Sequence, residues 1–599
     1  MTSPWPTTGF LAQVAAHFAQ IRPFMPMYAH IIISALFPIY TGAHASLSCP
    51  SSAEKPKKKP KRDDAADQSD DEDNVHKMEG MSNMDAVVLP VTAALVLASL
   101  YFLIAKYGAD LINLVLGYYF SGIGVYSVTQ LVNDALTVAF QLVFPAFYTD
   151  QGRLWRIVPE RKKAVHENSN SKESTTRRAS PLPGLFGRVP VPRSITGVLW
   201  TLRATLRQRY FARAYIATVV DMQSSFNLIN VLSAIVGLGT IAYVNLVSKA
   251  WFLTNLQGFA VSYSAMQLMS PTSFATGSLI LMALFCYDIW AVFFTPLMVT
   301  VAQNLDQPIK LVFPRPDEPN EIPGEPPIKG FSMLGLGDIV LPGIMIGLAL
   351  RFDLFMFYLR KQKRTRRSSE ASADQESIEK APYVSIHGQW GSRIWTQGLP
   401  RSILPAQLQC SFPKHYFRAA LIGYVAGMIT TLGAMSAFQH AQPALLYLVP
   451  GVLGSLCITA VLRRELPEVW QFTEAVTGEQ VEAQPATSIS GRLWAEIWGT
   501  SQTEQANDKT PPKKEKQKSS SPSEKNGEDK PLSKSRKKGQ QQTLISFSIR
   551  SGASKASMTE AHPRSHSQST EHRRSSLSGS EDAIVVSAAD VDGTVEQPQ

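Results

Sequence analysis

The sequence predicts an all-α polytopic membrane protein: about nine transmembrane helices, joined by charged loops and followed by a disordered tail. Three observations carry this. Runs of about 20 predominantly apolar residues, the length that crosses a bilayer, recur along the chain. Hydrophobic residues make up 45% of the 599 positions, yet the mean hydropathy is −0.04, so apolar runs alternate with charged, Ser- and Pro-rich segments. Lys and Arg gather in the first, third and seventh connections and at the start of the tail, the bias that sets membrane topology. A large soluble enzyme is excluded. The net charge of +10 resides in the loops, where bases beside spans set orientation or meet anionic headgroups. No nucleic-acid partner is expected.

Residues 1–28, with several Pro and aromatic residues, read as an N-terminal non-cytosolic segment. The first apolar run, Ala29 to Leu47, ends in GAHAS, a small-residue pattern that also fits signal-peptide cleavage. KPKKKPKR (Lys55 to Arg62) follows this run and little positive charge precedes it. That asymmetry keeps the following flank in the cytosol and predicts an uncleaved span with its N-terminus outside. Further spans read as 86–106, 110–131, 226–247, 251–268, 274–299, 331–350, 416–438 and 443–462. The run 135–147 is too short to span and continues or caps the third helix. Span 251–268 contains LQGFAVSYSAMQL, polar for a lipid-facing helix. It is expected inside the bundle, where Gly258 and Ala260 permit close approach.

Threaded from an outside N-terminus, nine spans place three basic connections in the cytosol. These are KPKKKPKR, the set Arg153, Arg156, Arg161, Lys162, Lys163, Arg177 and Arg178, and RKQKRTRR (Arg360 to Arg367). The tail, opening with Arg463 and Arg464, joins them, and the acid-rich connection 300–330 faces the other side. The expected divisions are 29–268 (spans 1–5, with a cytosolic insertion at about 148–225), 269–350 (spans 6–7), a cytosolic loop 351–414, and 415–465 (spans 8–9). The cytosolic tail 475–599 is rich in Lys, Ser, Glu, Gln and Pro. It buries too little apolar area to offset chain entropy and reads as disordered. Within the insertion, Ser194 to Ser225 holds WTLRATLRQRYFARAYIATVV, a basic amphipathic stretch. It suits a membrane surface, a protein surface or a solvated loop helix. Cys49, Cys286, Cys410 and Cys457 are scattered, giving neither a disulfide framework nor a zinc site.

Two acids interrupt the apolar pattern. Asp288 lies in SLILMALFCYDIWAVFFTPLMVTVA and Asp338 in FSMLGLGDIVLPGIMIGLAL. An Asp at the centre of a spanning helix costs about 2.5–3.5 kcal/mol, so both acids are expected in a wet interior cavity. Gly335 and Gly337 permit close backbone approach beside Asp338. Pro342, lacking an N–H, leaves the Asp338 carbonyl without its ordinary helical partner. Counted from the connection 300–330, the two acids differ in depth by about 6 Å. Paired carboxylates share protons. One can act as general base on water and the other as general acid on a carbonyl. The same pair suits a structural role, a proton relay, or a proton- or cation-coupled transporter or channel, and the acids alone do not choose. Asn113, Gln130 and Asn230 are expected to bond between helices. His440 reads as interfacial, Asp134 as structural, and Asp353 as a boundary acid paired with nearby bases.

Motifs separate the alternatives. FCYDIWAVFFTPLMVTVA, then GLGD, then AQPALLYLVP (Ala441 to Pro450) resemble, in that order, the three signatures of the presenilin-type intramembrane aspartyl proteases. MVTVAQNLDQPIKLVFP (Met298 to Pro314), GLGDIVLPGIMIGLALRFD (Gly335 to Asp353) and HAQPALLYLVP narrow the resemblance to signal peptide peptidase. It is clear over 226–353 and 415–465, weaker over 29–131, and absent from the third-loop insertion, most of the seventh connection and the tail. The resemblance implies a presenilin-like nine-span bundle with catalytic aspartates at Asp288 and Asp338. It places the PAL motif at Pro443, Ala444 and Leu445 beside the site, with Tyr287, Gly335, Leu336 and Gly337 as motif neighbours. It implies no metal and no organic cofactor.

The implied substrates are remnant signal peptides and type II transmembrane segments, cleaved within the endoplasmic reticulum membrane. The implied topology has a lumenal N-terminus and a cytosolic C-terminus. A helical substrate hides its carbonyls and must unwind before attack. Gly335 to Gly337 is expected to offer backbone to the unwound strand. The acids and motifs cluster toward one end of the chain, without the matched halves common in transporters. The chain ends VDGTVEQPQ rather than in a Lys-rich retrieval signal, so retention needs another determinant. Partners beyond substrate and lipid bilayer stay open: a homo-oligomer, degradation components of the endoplasmic reticulum, or a ligand of the insertion.

Overall fold

The computed structural model describes residues 22–55, 78–159, 161–166, 177–188, 192–216, 220–295, 297–305, 307, 309–315, 330–366, 376–385, 390–400, 403–405, 408, 411–438, 442–474 and 545–551. The segment 1–21, most of the Lys55–Arg62 cluster, Cys410, His440 and the tail apart from 545–551 lie outside the described residues.

In chain order the helices are α1 (Met25–Ala45), α2 (Asp85–Tyr107), α3 (Ala109–Val143), α4 (Arg193–Arg207), α5 (Leu228–Leu246), α6 (Trp251–Leu268), α7 (Phe274–Phe294), α8 (Leu297–Asn304), α9 (Gly337–Lys361), α10 (Trp390–Trp395), α11 (His415–Phe438), α12 (Leu445–Arg463) and α13 (Leu466–Gln471). Among the described residues, α1, α2, α3, α5, α7, α9, α11 and α12 are long and apolar enough to cross a membrane. The ninth helix of comparable length is α6, whose Asn255, Gln257, Ser262, Ser264 and Gln267 are buried. This polar face turns into the bundle, as its sequence requires.

Several boundaries differ from expectation, each for a local reason. The 135–147 run extends α3 to 35 residues. The sixth span stops at Phe294, because Pro296 follows and Thr295 takes an extended backbone (φ −133°, ψ 141°). The seventh begins at Gly337, not 331, and continues to Lys361. Phe331–Gly335 forms a strand instead. Among the described residues, the amphipathic stretch is helical over Arg193–Arg207 and then extended over Arg209–Ile216.

At the centre lies α9, packed against α1, α6, α7, α11 and α12. Small residues permit this. A Cβ on Gly343 would lie 2.7 Å from the Met266 sulfur, so α9 and α6 touch through a glycine face. Polar residues of α9 are matched. Arg351, buried, pairs with Glu474 at 3.0 Å and donates to Ser46 Oγ at 2.8 Å and to Ser270 Oγ. The Asp353 carboxylate accepts the backbone N–H groups of Tyr416 (3.2 Å) and Phe417 (3.0 Å), satisfying the start of α11. Its hydrogen-bond partners are thus a helix N-terminus, while the expected bases, Arg463 and Lys414, act on it through charge alone among the interactions described. Glu474 arrives on the segment after α13, tied down by its N–H to the Thr272 carbonyl at 2.8 Å.

Short sheets occupy the connections. β1 (Glu79–Met81) runs parallel to β8 (Met269–Pro271), and β11 (Lys363–Arg366) pairs antiparallel with β12 (Glu376–Glu379). β9 (Lys310–Pro314) and β10 (Phe331–Gly335) form an antiparallel hairpin in which Gly335 faces Lys310. In the third connection β2 (Phe147–Asp150), β3 (Arg153–Val158), β4 (Lys163–His166) and β5 (Arg177–Arg178) make a four-stranded antiparallel sheet. Its core of Tyr148, Trp155, Ile157 and Ala164 is closed by Trp200 of α4. Asp150 bonds Arg178 and Arg188, and the Arg188 guanidinium holds its carboxyl below the usual carboxylate range. The seventh connection meets this sheet. Ser392 Oγ accepts the Ala146 N–H at 3.2 Å, and Trp395 Nε1 donates to the Leu142 carbonyl at 2.8 Å. A second compact unit contains β6 (Arg209–Ile216), flanked by β7 (Val220–Asn227) and by β13 (Ile545–Ser551) from the tail.

Candidate active site

Helix α7 fixes the first acid. Its buried residues Gly277, Ile280, Leu281, Leu284, Asp288 and Ala291 recur at helical spacing and form one inward stripe. Asp288 therefore faces protein, whereas Trp290, Phe293 and Phe294 on the other faces are exposed. Ser273 starts the helix by accepting the Thr276 N–H at 3.1 Å. Tyr287, half-buried, turns its ring toward Trp290, with centroids 6.4 Å apart.

Leu445 supplies the first contact to that acid. Its backbone N–H donates to Asp288 Oδ2 at 3.1 Å. α12 begins at this residue, so the N–H is one of the donors that a helix start leaves without an internal partner. Asp288 thus sits at a helix N-terminus, where a carboxylate is favoured. Pro443 and Ala444 form the turn into α12, their carbonyls accepting the N–H groups of Leu446 and Tyr447 at 3.2 Å each. The PAL motif acts here through its backbone. The Leu445 side chain instead packs into the main core.

Asp338 stands in the first turn of α9, half-buried and within electrostatic reach of Asp288. The carbonyl freed by Pro342 has found a donor: Tyr424 Oη of α11 bonds the Asp338 carbonyl oxygen at 3.3 Å. Gly335 leaves room for the acid, since a Cβ there would come within 3.3 Å of Asp338 Oδ2. Leu336 joins the periphery of the core, and its N–H bonds the Ile309 carbonyl at 3.0 Å. Gly337 is exposed, and a Cβ on it would meet nothing within 4 Å. All nine motif residues therefore fall in one neighbourhood, contributed by α7, by β10 with the start of α9, and by the start of α12. Among the described residues, no group of three or more His, Cys, Asp or Glu could hold a metal ion.

Three supports escaped the sequence reading. Tyr424 is one; a tyrosine in an apolar helix gives no signal of its own. A second is the close contact of α11 and α12. A Cβ on Gly427 would lie 2.8 Å from the Tyr447 carbonyl oxygen, and one on Gly423 would collide with that of Gly451. The Gly-x-x-x-Gly spacing of 423 and 427 was a legible sign. Asn255 of α6 is the third. Its amide bonds both backbone groups of Val312, each at 2.8 Å, covering the outer edge of β9 as a strand would. The remaining polar residues follow expectation in part. Asn113 Nδ2 bonds the Asn304 carbonyl at 2.9 Å, and Asp134, inside the longer α3, accepts from Tyr263 Oη at 2.6 Å.

A bundle of membrane-length helices that carries Asp288 and Asp338 in one neighbourhood defines a polytopic membrane protein with acids in its spanning helices. Comparison with known proteins narrows that class. The family model of signal peptide peptidase matches residues 72–476, and the chain belongs to this family of intramembrane proteases. Signal peptide peptidase of Mus musculus is 25% identical over 475 residues, covering 78% of this chain and 89% of the relative. That of Homo sapiens is also 25% identical, over 470 residues, with the same coverage. Intramembrane protease 2 of Caenorhabditis elegans is 35% identical over 231 residues, 39% of this chain and 40% of its own.

Proposed function

We propose that Asp288 and Asp338 form the catalytic pair of this protease, acting on remnant signal peptides and type II membrane segments. The Leu445 N–H on Asp288, with Asp338 in electrostatic reach, carries the reading. One carboxylate removes a proton from water as the oxygen attacks the scissile carbonyl carbon. The other carboxyl donates its proton to the carbonyl oxygen. Collapse of the tetrahedral intermediate breaks the C–N bond, and the leaving nitrogen takes up a proton. Leu445 holds Asp288 in place, and Tyr424 ties the backbone of Asp338 to α11.

The unwound substrate has a place to pair. β9 is covered by Asn255, and β10 pairs with β9 alone among the described strands. The far edge of β10 runs directly into Gly335 and Asp338, which suits strand addition beside the acids. Membership of this family favours the endoplasmic reticulum membrane as its place of action, and the charge bias favours β9–β10 on the lumenal side with the third and seventh connections in the cytosol.

Purified protein in detergent, given a signal peptide weakened in helicity, tests the assignment. Asp288→Ala and Asp338→Ala each lose cleavage by at least about 10²-fold. Either mutant cutting like the parent rejects the pair. Gly337→Val keeps the fold, because its side chain enters open space, but blocks the approach of substrate and abolishes turnover. Normal turnover there rejects the strand-addition route.

A further inference from the structure

We infer that the third connection is a membrane-docking module, in which α4 lays an apolar stripe onto the anionic surface of the same bilayer that its neighbouring helices cross. Three observations converge. The first is which face of α4 is occupied. Trp200 and Arg203 are buried toward the four-stranded sheet. Ile195, Val198 and Leu202, spaced as neighbours on one helical face, remain 50%, 66% and 44% exposed. Phe186, just before the helix, is 66% exposed. A soluble loop helix would leave such a stripe polar, as amphipathicity requires.

The second observation is charge. Residues 144–209 carry 13 Lys and Arg against 4 Asp and Glu, a net +9, nearly the whole excess of the chain. Asp150, one of those acids, is neutralised inside by Arg178 and Arg188. Arg153, Arg156, Arg161, Lys162, Lys163, Arg193 and Arg207 remain exposed. Bases near an anionic surface are drawn to it, and exposed apolar side chains beside them enter the headgroup layer. The third is position. The insert starts where α3 ends, and α4 packs against α5, the next membrane-length helix. The module is thereby held at the level of the headgroups. An acidic protein partner would satisfy the charge, but it would not explain an apolar stripe at this height.

The test uses the full chain with Cys49, Cys286, Cys410 and Cys457 replaced by Ala and one new cysteine, Val198→Cys, carrying an environment-sensitive dye. Leu202→Cys provides a second reporter on the stripe, and Arg156→Cys a control on the sheet. Each protein is reconstituted in bilayer discs of phosphatidylcholine alone or mixed with phosphatidylserine. A quencher attached to the lipid chains quenches positions 198 and 202 several-fold more with phosphatidylserine present, and added salt reduces the difference. Position 156 stays open to aqueous iodide throughout. The inference is overturned if iodide reaches 198 and 202 equally in both lipids. It is also overturned if both are shielded from iodide and lipid quencher alike and cross-link to a second polypeptide, which would make the stripe a protein interface. Proteolytic activity is not read, so failure here leaves the catalytic assignment standing.

Discussion

α2 and α9 are near equals by sequence and opposites in structure. Each has fewer than 26 residues, contains one proline and has the composition of a spanning helix. α2 is the more apolar, with a mean hydropathy of 2.5 against 1.9 over its best stretch. Yet none of that stretch of α2 is buried, whereas 83% of the α9 stretch is. Hydropathy therefore reports entry into the membrane, not depth inside the bundle. The helix at the centre is the one that carries Asp338, Arg351 and Asp353, because polar groups in a bilayer persist where protein supplies partners. In lipid the apolar surface of α2 costs nothing, and no packing is needed to justify it.

The largest loss is expected at the Arg351–Glu474 ion pair. Glu474→Ala leaves Arg351 buried without its counter-charge, and removing one member of a buried pair costs about 3–5 kcal/mol. Thermal unfolding in detergent should show that loss. Replacing both residues with Met should recover most of it, because the penalty lies in the orphaned charge. If Glu474→Ala unfolds like the parent, the polar residues of α9 do not depend on protein partners, and the contrast with α2 fails.

Tyr424→Phe should have a smaller effect. The Asp338 carbonyl lost its helical partner to Pro342 and takes the Tyr424 hydroxyl instead. Losing that donor leaves a polar group unsatisfied, at about 1–3 kcal/mol. Because the carbonyl belongs to the proposed catalytic acid, turnover should fall more than substrate affinity. A mutant with parental kcat assigns Tyr424 to packing alone.

These supports mark where the sequence could be read and where it could not. Asp288 and Asp338 announce themselves, because a carboxylate in an apolar run is costly and needs a reason. Pro342 likewise exposed a missing bond, though not the residue that would fill it. Tyr424 and Asn255 stayed hidden. One polar side chain in a helix does not state which backbone group, 86 or 57 residues away, it will meet. The third connection was illegible for another reason. β2 to β5 are two to six residues long, too short for alternation to stand out, and their core is completed by Trp200 from a later helix.

The smallest effect belongs to α2. Leu95 is 67% exposed along a helix whose best stretch has no buried residue. Leu95→Ala removes apolar volume from a surface that only lipid touches, so no cavity forms and the usual cost of a buried Leu→Ala, about 2–5 kcal/mol, does not arise. The change should stay within about 0.5 kcal/mol and leave cleavage unaltered. Thermal unfolding of Leu95→Ala beside Leu348→Ala of α9 measures the contrast directly, since Leu348 is wholly buried. Equal losses at the two positions would mean that α2 is covered by protein in the membrane. Its bare face would then be an interface with a second polypeptide rather than a boundary with lipid.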